Sequence, residues 1–349
     1  MDNRVFIAKC DEYEQAGAAV DRILDAYGGT EAILNGRKRV VVKPNLIMPR
    51  KPDDAATTHP AVMAAVCAAF IKAGADVKII DSTGGPHTKM ILKVLYGRCG
   101  MKLAAERSGA ELSYDTSSRT VTFPEGRVIK ELELLGPVMD AELVISVAKM
   151  KTHGFMAMTG CVKNMFGCIP GFGKPMQHRR QSKREDFAAM LVDLCQRIAP
   201  GFNILDGVIG MEGAGPTGGD PKHAGVIIGG FSPFAVDLAQ CHLMGLRTDS
   251  VRTLQEAASR GLAPGDPELL TWFGDDRELL RTNFKPAVKH KDDAVPTITD
   301  KCVGCGDCTR VCPMKCITVH EGKAVINGRE CIRCYCCHEF CGAKAILLS

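Results

Sequence analysis

The sequence predicts an α/β protein: a mainly parallel sheet with helices on both faces, followed by a small C-terminal α+β unit. Three observations carry this expectation. Short, β-branched, continuously apolar runs alternate with helical stretches, as they do in buried parallel strands joined by crossover helices. Prolines mark helix starts, at His59-Pro60 and Ser232-Pro233, where the missing N–H costs nothing. From Asn283 onward the chain turns polar and proline-broken, and then unusually rich in cysteine.

The elements follow in order. VFIAK, a helix over 14–27, RVVVKPN, a helix over 60–73 and VKIIDS give a β-α-β-α-β start. ELSYDTSSRTVTFPEGRVIKELELLG interrupts the alternation with a hairpin-like, antiparallel excursion. LVISVA, a helix over 185–198, FNILDG, GVIIGG and a helix over 233–246 complete the sheet. Domain boundaries are placed at 1–282, a linker at 283–299 and a C-terminal unit at 300–349, the linker because NFKPAVKHKDDAVPTIT cannot sustain a regular element.

Composition excludes several classes. With 349 residues, 46% hydrophobic and 24% charged, the chain can bury a sizeable core. A net charge of +4 with one Trp and five Tyr does not suggest nucleic-acid binding. There is no apolar run long enough to span a bilayer, and MDNRVFIAKCDEYEQAG has no apolar core of a secretory signal. Seventeen cysteines, ten of them from Cys302 onward, point to a reducing, cytoplasmic setting in which the C-terminal group holds metal.

The tail carries the most specific motif. Cys302-x2-Cys305-x2-Cys308-x3-Cys312-Pro313 is followed by Cys331-x2-Cys334-x2-Cys337-x3-Cys341. Three thiolates two residues apart wrap one face of an iron–sulfur cube, and the fourth cysteine serves the other cube. One [4Fe–4S] cluster should therefore take Cys302, Cys305, Cys308 and Cys341, and the second Cys331, Cys334, Cys337 and Cys312. Zinc knuckles also use paired cysteines, but two full four-cysteine runs favour clusters. Gly342 stands where the usual pattern has proline. Cys316 and Cys336 are spare and read as structural. The repeat resembles the bacterial two-cluster ferredoxin fold.

A second feature is charge. From Val147 to Arg184 there are eight Lys or Arg and no Asp or Glu. Just after an apolar strand come Lys149, Lys151, His153 and Lys163, with two cysteines and several glycines. In an open α/β sheet, ligands bind where loops leave the carboxyl ends of strands. RVVVKPN ends in Lys43 and Asn45, the loop returning through Thr58 and His59 reaches a helix N-terminus, and VKIIDS ends in Asp81. The reading assigns reacting roles to Lys43, His59, Lys149, Lys151, His153 and Lys163. It assigns ligand contacts to Asn45, Thr58, Asp81, Thr159, Gly160, Asn164, Gly213 and Gly215. Lysines would attract an anion and donate protons while glycines let the backbone approach. The bland reading, solvated surface lysines, is weighed against the methionines, phenylalanines and glycines that surround them. GAGPTGG lacks the Gly-Lys-Ser/Thr of a phosphate loop.

The blocks VVVKPN, TTHP, VKIIDS, SVAKMKTHGFMAMTGCVKNMFGCIPG, ILDGVIGMEGAGPTGGDPK and AVDLA resemble a bacterial and archaeal family known as domain of unknown function 362. Its members often carry a C-terminal two-cluster ferredoxin module. The resemblance spans residues 5–246 plus the tail. It implies one α/β domain whose polar blocks form a single site, and it brings no settled reaction. Two functions are therefore expected to compete. One is an iron–sulfur oxidoreductase passing low-potential electrons between two [4Fe–4S] clusters and an anionic substrate or cofactor, such as a flavin phosphate. The other is a non-catalytic electron-carrier or scaffold subunit. Either implies a redox partner protein, and monomer and homodimer both stay open. A buried concave lysine pocket would favour the first and a flat lysine face the second.

Overall fold

The computed structural model describes residues 2–287 and 294–348. Among these, eleven strands precede the cysteine-rich tail: β1 (Arg4–Lys9), β2 (Arg39–Pro44), β3 (Asp76–Ile79), β4 (Glu111–Leu112), β5 (Ser118–Thr122), β6 (Glu131–Leu135), β7 (Leu143–His153), β8 (Ala157–Thr159), β9 (Phe202–Glu212), β10 (Asp220–Gly230) and β11 (Thr271–Gly274). Nine of them form one sheet in the order β11-β1-β10-β9-β7-β2-β3-β4, with β8 paired to β7. All neighbours are parallel except where β10 meets β1 and β9, and where β8 meets β7. The expected mainly parallel sheet is therefore present. The excursion before β7 is the separate antiparallel hairpin β5–β6.

Both faces of the sheet are covered, and strand alternation shows why. Val40 and Val42 enter a core with the helices Ala16–Ala26 and Pro60–Lys72. Val41 points the other way, into a core with the helix Arg184–Ile198. Further along, Ala148 and Leu205 pack on the helix Pro233–Leu243. Two-sided burial leaves no polar face, so these strands read as unbroken apolar runs.

Two strands run further than their apolar runs suggest. LVISVA was expected to end near Val147, yet β7 continues to His153 with all eleven residues buried. FNILDG continues to Glu212, so only residues 213–219 remain as a turn to β10. Lys149 lies beside Asp206 in this register, and Lys151 beside Met211 across an irregularity. The extension is polar because its side chains have buried partners, which an apolar pattern cannot register.

The tail forms β12 (Thr297–Ile298) paired with β15 (Ile346–Leu347), a hairpin of β13 (Ile317–His320) and β14 (Lys323–Ile326), and short helices Asp307–Val311 and Cys336–Glu339. Residues 288–293 of the expected linker lie outside the described residues. Its two ends are not loose chain: Phe284 is 5% exposed and β12 belongs to the tail's own pairing.

The tail docks on the carboxyl ends of the parallel strands. Thr217 Oγ1 donates to Glu339 O at 2.8 Å, and Arg50 Nη2 donates to Cys341 O at 3.4 Å. Tyr335 and Leu348 join the α/β core near Phe155. Phe340 lies on Gly84, where an added Cβ would stand 2.2 Å from the ring. Gly84→Ala should therefore prise the two units apart while leaving the sheet intact. The expected outcome is several-fold faster alkylation of the buried Cys336 thiol, mapped by mass spectrometry, with an unchanged circular dichroism spectrum. An unchanged alkylation rate would show that this contact does not hold the units together.

Candidate functional site

Five lysines converge at the carboxyl ends of β2, β3 and β7, and four of them have identifiable oxygen partners. Lys43, at the end of β2, is 1% exposed and pairs with Asp81 at 2.7 Å. Asp81 also accepts from Leu46 N at 2.9 Å and Ser82 N at 2.7 Å. Gly167 is required here, because a Cβ would meet Lys43 Nζ at 2.4 Å. Lys174 donates to Ser82 O and Thr83 O at 3.1 and 2.8 Å, and burial brings its ammonium down to about 7. Lys151 reaches only neutral oxygens, Asn45 Oδ1 at 2.6 Å and Ala56 O at 2.7 Å. Burial, with Lys163 and Lys149 nearby, holds it well below the ordinary lysine range. Lys149 pairs with Asp206 at 2.8 Å, both fully buried.

Lys163 differs from these four. No described oxygen accepts a hydrogen bond from its ammonium, which lies 5.5 Å over the Phe166 ring. Its nearest countercharge is Glu339, which belongs to the cysteine-rich tail. Burial would push the Glu339 carboxyl up, but His153, Lys163 and His178 outweigh it and hold it at about 2. His153 Nδ1 accepts from Phe155 N at 3.0 Å, which leaves its proton on Nε2, 3.2 Å from Glu339 Oε1. Burial lowers His153 to about 4, so it faces Glu339 as a neutral imidazole. His178 stacks on Phe187 at 4.1 Å, and burial lowers it to about 3. His153 Nε2, His178 Nδ1 and Glu339 Oε1 are all buried without a well-aligned hydrogen bond.

These groups enclose a pocket lined by Lys43, Asn45, Asp81, Thr159, Lys163, Lys174, His178, Cys336 and Glu339. About 50 Å³ of it admits the centres of water-sized molecules, within about 570 Å³ of non-protein space. It brings together five of the residues expected from sequence: Lys43, Asn45, Asp81, Thr159 and Lys163. Asn164 stands behind them, donating to Lys43 O at 3.0 Å, and His153 reaches the pocket through Glu339.

Other expected residues lie elsewhere. Lys149 belongs to a second buried centre, donating to Tyr13 Oη at 2.9 Å. Tyr13 stacks on His59 at 3.4 Å, and His59 Nδ1 caps the helix Pro60–Lys72 by accepting from Ala61 N at 3.2 Å. Thr58 Oγ1 donates to Val147 O at 2.7 Å and ties β7 to the returning loop. Gly160 makes room for Asp237, whose carboxylate accepts from Cys161 N and Val162 N at 2.5 and 3.1 Å. Gly213 takes a φ of +75°, and Gly215 passes so close to Thr152 O that a Cβ would meet it at 2.1 Å.

Sequence reasoning missed Lys174, Ser82, His178 and Glu339 as pocket residues. Lys174 was hidden inside a basic tract. Glu339 was hidden by its neighbours: an acid between two ligand cysteines invites no reading of its own.

Two of the buried motif cysteines have several other motif thiols around them. Burial raises the Cys308 thiol, and the thiols of Cys305, Cys302 and Cys341 raise it further. Burial likewise lifts Cys337 well above its ordinary value, followed by Cys334, Cys331, Cys312 and, from the other expected set, Cys308. Each set is thus a crowd of thiols that would repel as thiolates, as a site built for iron does when the iron is absent from the balance. Cys334, Cys337 and Cys312 are buried, whereas Cys305 is exposed, so the second set is the inner one. Among the described residues no three His, Cys, Asp or Glu side chains converge on one ion-sized point. Ligands that each meet a different iron of a cube are spread in this way. The residues present therefore fit iron–sulfur clusters.

The fold and site define an α/β protein with a basic pocket closed by a cysteine-rich iron–sulfur module. A family model described as a domain of unknown function (DUF362) matches residues 40–242, and one for a 4Fe-4S dicluster domain matches 295–342. A thylakoid-associated protein of Synechocystis is 30% identical over 295 residues, covering 82% of this chain and 88% of that protein. The chain belongs to the DUF362 family and carries a 4Fe-4S dicluster module. An uncharacterized Porphyra purpurea protein is 36% identical over 58 residues, 15% of this chain and 77% of that protein. Among solved structures, the lactate racemase apoprotein of Thermoanaerobacterium thermosaccharolyticum is similar at a TM-score of 0.39 and 15% identity. That match covers 63% of this chain and about half, 54%, of that one.

Two outcomes follow from the buried charges. Lys43→Met leaves Asp81 buried and unpaired, and should cost about 3–5 kcal/mol in denaturant unfolding. Lys43→Met with Asp81→Leu should recover most of it; equal loss in both variants would show that the pair is not the cause. Folded His178 titrates near about 3 rather than its ordinary 6.5. Its contribution is therefore fully present above pH 6.5 and lost as pH falls towards 3, while the unfolded chain takes up the proton. His178→Phe should flatten that part of the pH–stability curve. Parallel curves for the two proteins would sink the assignment.

Proposed function

We propose that the protein is an iron–sulfur oxidoreductase of a reducing, cytoplasmic compartment, acting on a small anion bound in the pocket between Lys163 and Lys174. The capacity for iron–sulfur electron transfer follows from the dicluster module. The observation that carries the finer reading is the placement of the helix Cys336–Glu339. Cys336 and Glu339 line the pocket, and Cys337, next in the chain, belongs to the inner cysteine set. When loaded, that set would supply single electrons at low potential.

The protein's own residues do the rest. Lys43, locked by Asp81, fixes one wall. Lys174, brought down to about 7, can hold or give up a proton near neutrality. Lys163 offers an ammonium whose hydrogen bonds are unclaimed by any described oxygen, so it is the natural partner of an incoming carboxylate or phosphate oxygen. Glu339 neutralises Lys163 when no anion is present. The open space suits an anion of a few heavy atoms rather than a flavin. The carrier or scaffold reading lacks its expected signature, since the lysines line a concave buried pocket and not a flat face. All seventeen thiols are free, which suits a reducing compartment. Among the described residues no helix is long and apolar enough to cross a membrane.

Anaerobic reconstitution should give about eight iron and about eight sulfide per chain, as two cubes require. Acetate, pyruvate and inorganic phosphate are then titrated against the reduced protein. At least one should shift the electron paramagnetic resonance spectrum of a cluster, and Lys163→Ala should abolish the shift while keeping the iron. If none of the three anions changes the spectrum or the melting temperature, the carrier reading replaces this one.

A further inference from the structure

A second concavity opens beside the inner cysteine set. It is a groove of about 770 Å³ between the helix Arg184–Ile198 and the tail, and it is lined by five cations, Lys183, Arg184, Arg252, Arg329 and Arg333, against two carboxylates, Glu185 and Glu330. Some of that charge is committed: Arg252 meets Glu185 at 3.3 Å, and Arg184 lies 5.6 Å over the Phe155 ring. The side chains of Lys183 and Arg329 are exposed and make no ion pair with a described residue. Lys183 and Arg329 therefore present positive charge to solvent at the rim of the groove.

Its floor is apolar and shared. Met314, Cys331 and Ile332 line the groove, and the same three line the cavity enclosed by the inner cysteines. Anything seated in the groove stands against the wall of that set. Beside the exposed Cys305 of the outer set the charge is partly paired: Asp307 pairs with Arg310 at 2.8 Å, and Asp300 pairs with Lys323 at 2.6 Å.

We propose that this groove is a docking surface for an acidic electron-carrier protein, with Lys183 and Arg329 as its principal charge contacts and Met314 and Ile332 as its apolar centre. Excess cations spread over separate elements of an open rim favour a protein over a small anion. They steer encounter over a distance, and the rim lacks the buried, convergent donors that grip one small ligand. An apolar centre within a charged rim is the usual anatomy of a protein interface. The placement against the Cys331 wall specifies a redox partner rather than an arbitrary acidic protein. This surface is independent of what binds in the lysine pocket.

The test measures binding of an oxidised acidic two-cluster ferredoxin to the reconstituted protein at low and high salt. The wild type should bind it, and the affinity should fall steeply as salt is raised. Lys183→Glu with Arg329→Glu should weaken binding at least tenfold at low salt and flatten the salt dependence, with iron content unchanged. The same reversal at Lys102 and Arg107, exposed on the far helix Met101–Ser108, should leave binding unaffected. Ile332→Ser should weaken binding without altering its salt slope. No binding by the wild type, an equal loss from the far-helix reversal, or equally tight binding of poly-glutamate would each overturn the proposal. So would loss of binding only on reversing Arg310 and Lys323, which would move the docking surface to the outer set.

Discussion

Lys163 has no hydrogen-bonded oxygen of its own among the described residues, and the charge that Glu339 sets against it links the two halves of this protein. Lys43, Lys149, Lys151 and Lys174 find their oxygens within the α/β unit. Lys163 does not, and the carboxylate it faces arrives on the helix Cys336–Glu339 of the tail. The docking is therefore electrostatic as well as apolar. Phe340 and Tyr335 supply buried surface, while Glu339 supplies the charge that Lys163, His153 and His178 would otherwise lack. A hydrophobic interface alone could slide. A buried carboxylate set among a lysine and two histidines fixes the register of one unit on the other.

The same constraint explains why β7 is longer than its apolar run. A strand that carries Lys149, Lys151 and His153 inward is stable only if Asp206, Asn45 and Glu339 stand opposite, and these come from three distant parts of the chain. Local pattern contains none of that information. The alternation of elements, the two-sided burial of the strands, the excursion before β7 and the cysteine-rich dicluster module were all legible, because each rests on spacing within a short stretch. The basic tract was legible as unusual. Its counter-charges were not, since the stretch itself holds no acid. The expectation of uncompensated charge needs one correction: Lys149 is answered by Asp206, while Lys151 and Lys174 reach neutral oxygens, and all these partners lie far away in sequence.

The expected site also divides in the structure. Lys43, Asn45, Asp81, Thr159 and Lys163 share a pocket. Lys149 and His59 gather instead around Asp206 and Tyr13, a buried polar centre that braces β7, β9 and the helix after His59. Several glycines expected near a ligand serve close backbone approach, as Gly215 does beneath Thr152 O. Residues that look alike in a list of strand-end polar groups are sorted only by which face of the strand each occupies.

The make-up of the tail's core has a bearing on how the protein matures. Its central cluster is Cys308, Cys312, Cys316 and Cys337 with only Ile317, Ala324 and Ile346. A core so rich in thiols is one that bound metal would stabilise, beside the apolar contacts of Tyr335 and Leu348 with the α/β unit. The helix bearing Glu339 belongs to that unit. Whatever orders the cysteines on either side of that helix therefore also sets the carboxylate of Glu339 in the wall of the lysine pocket.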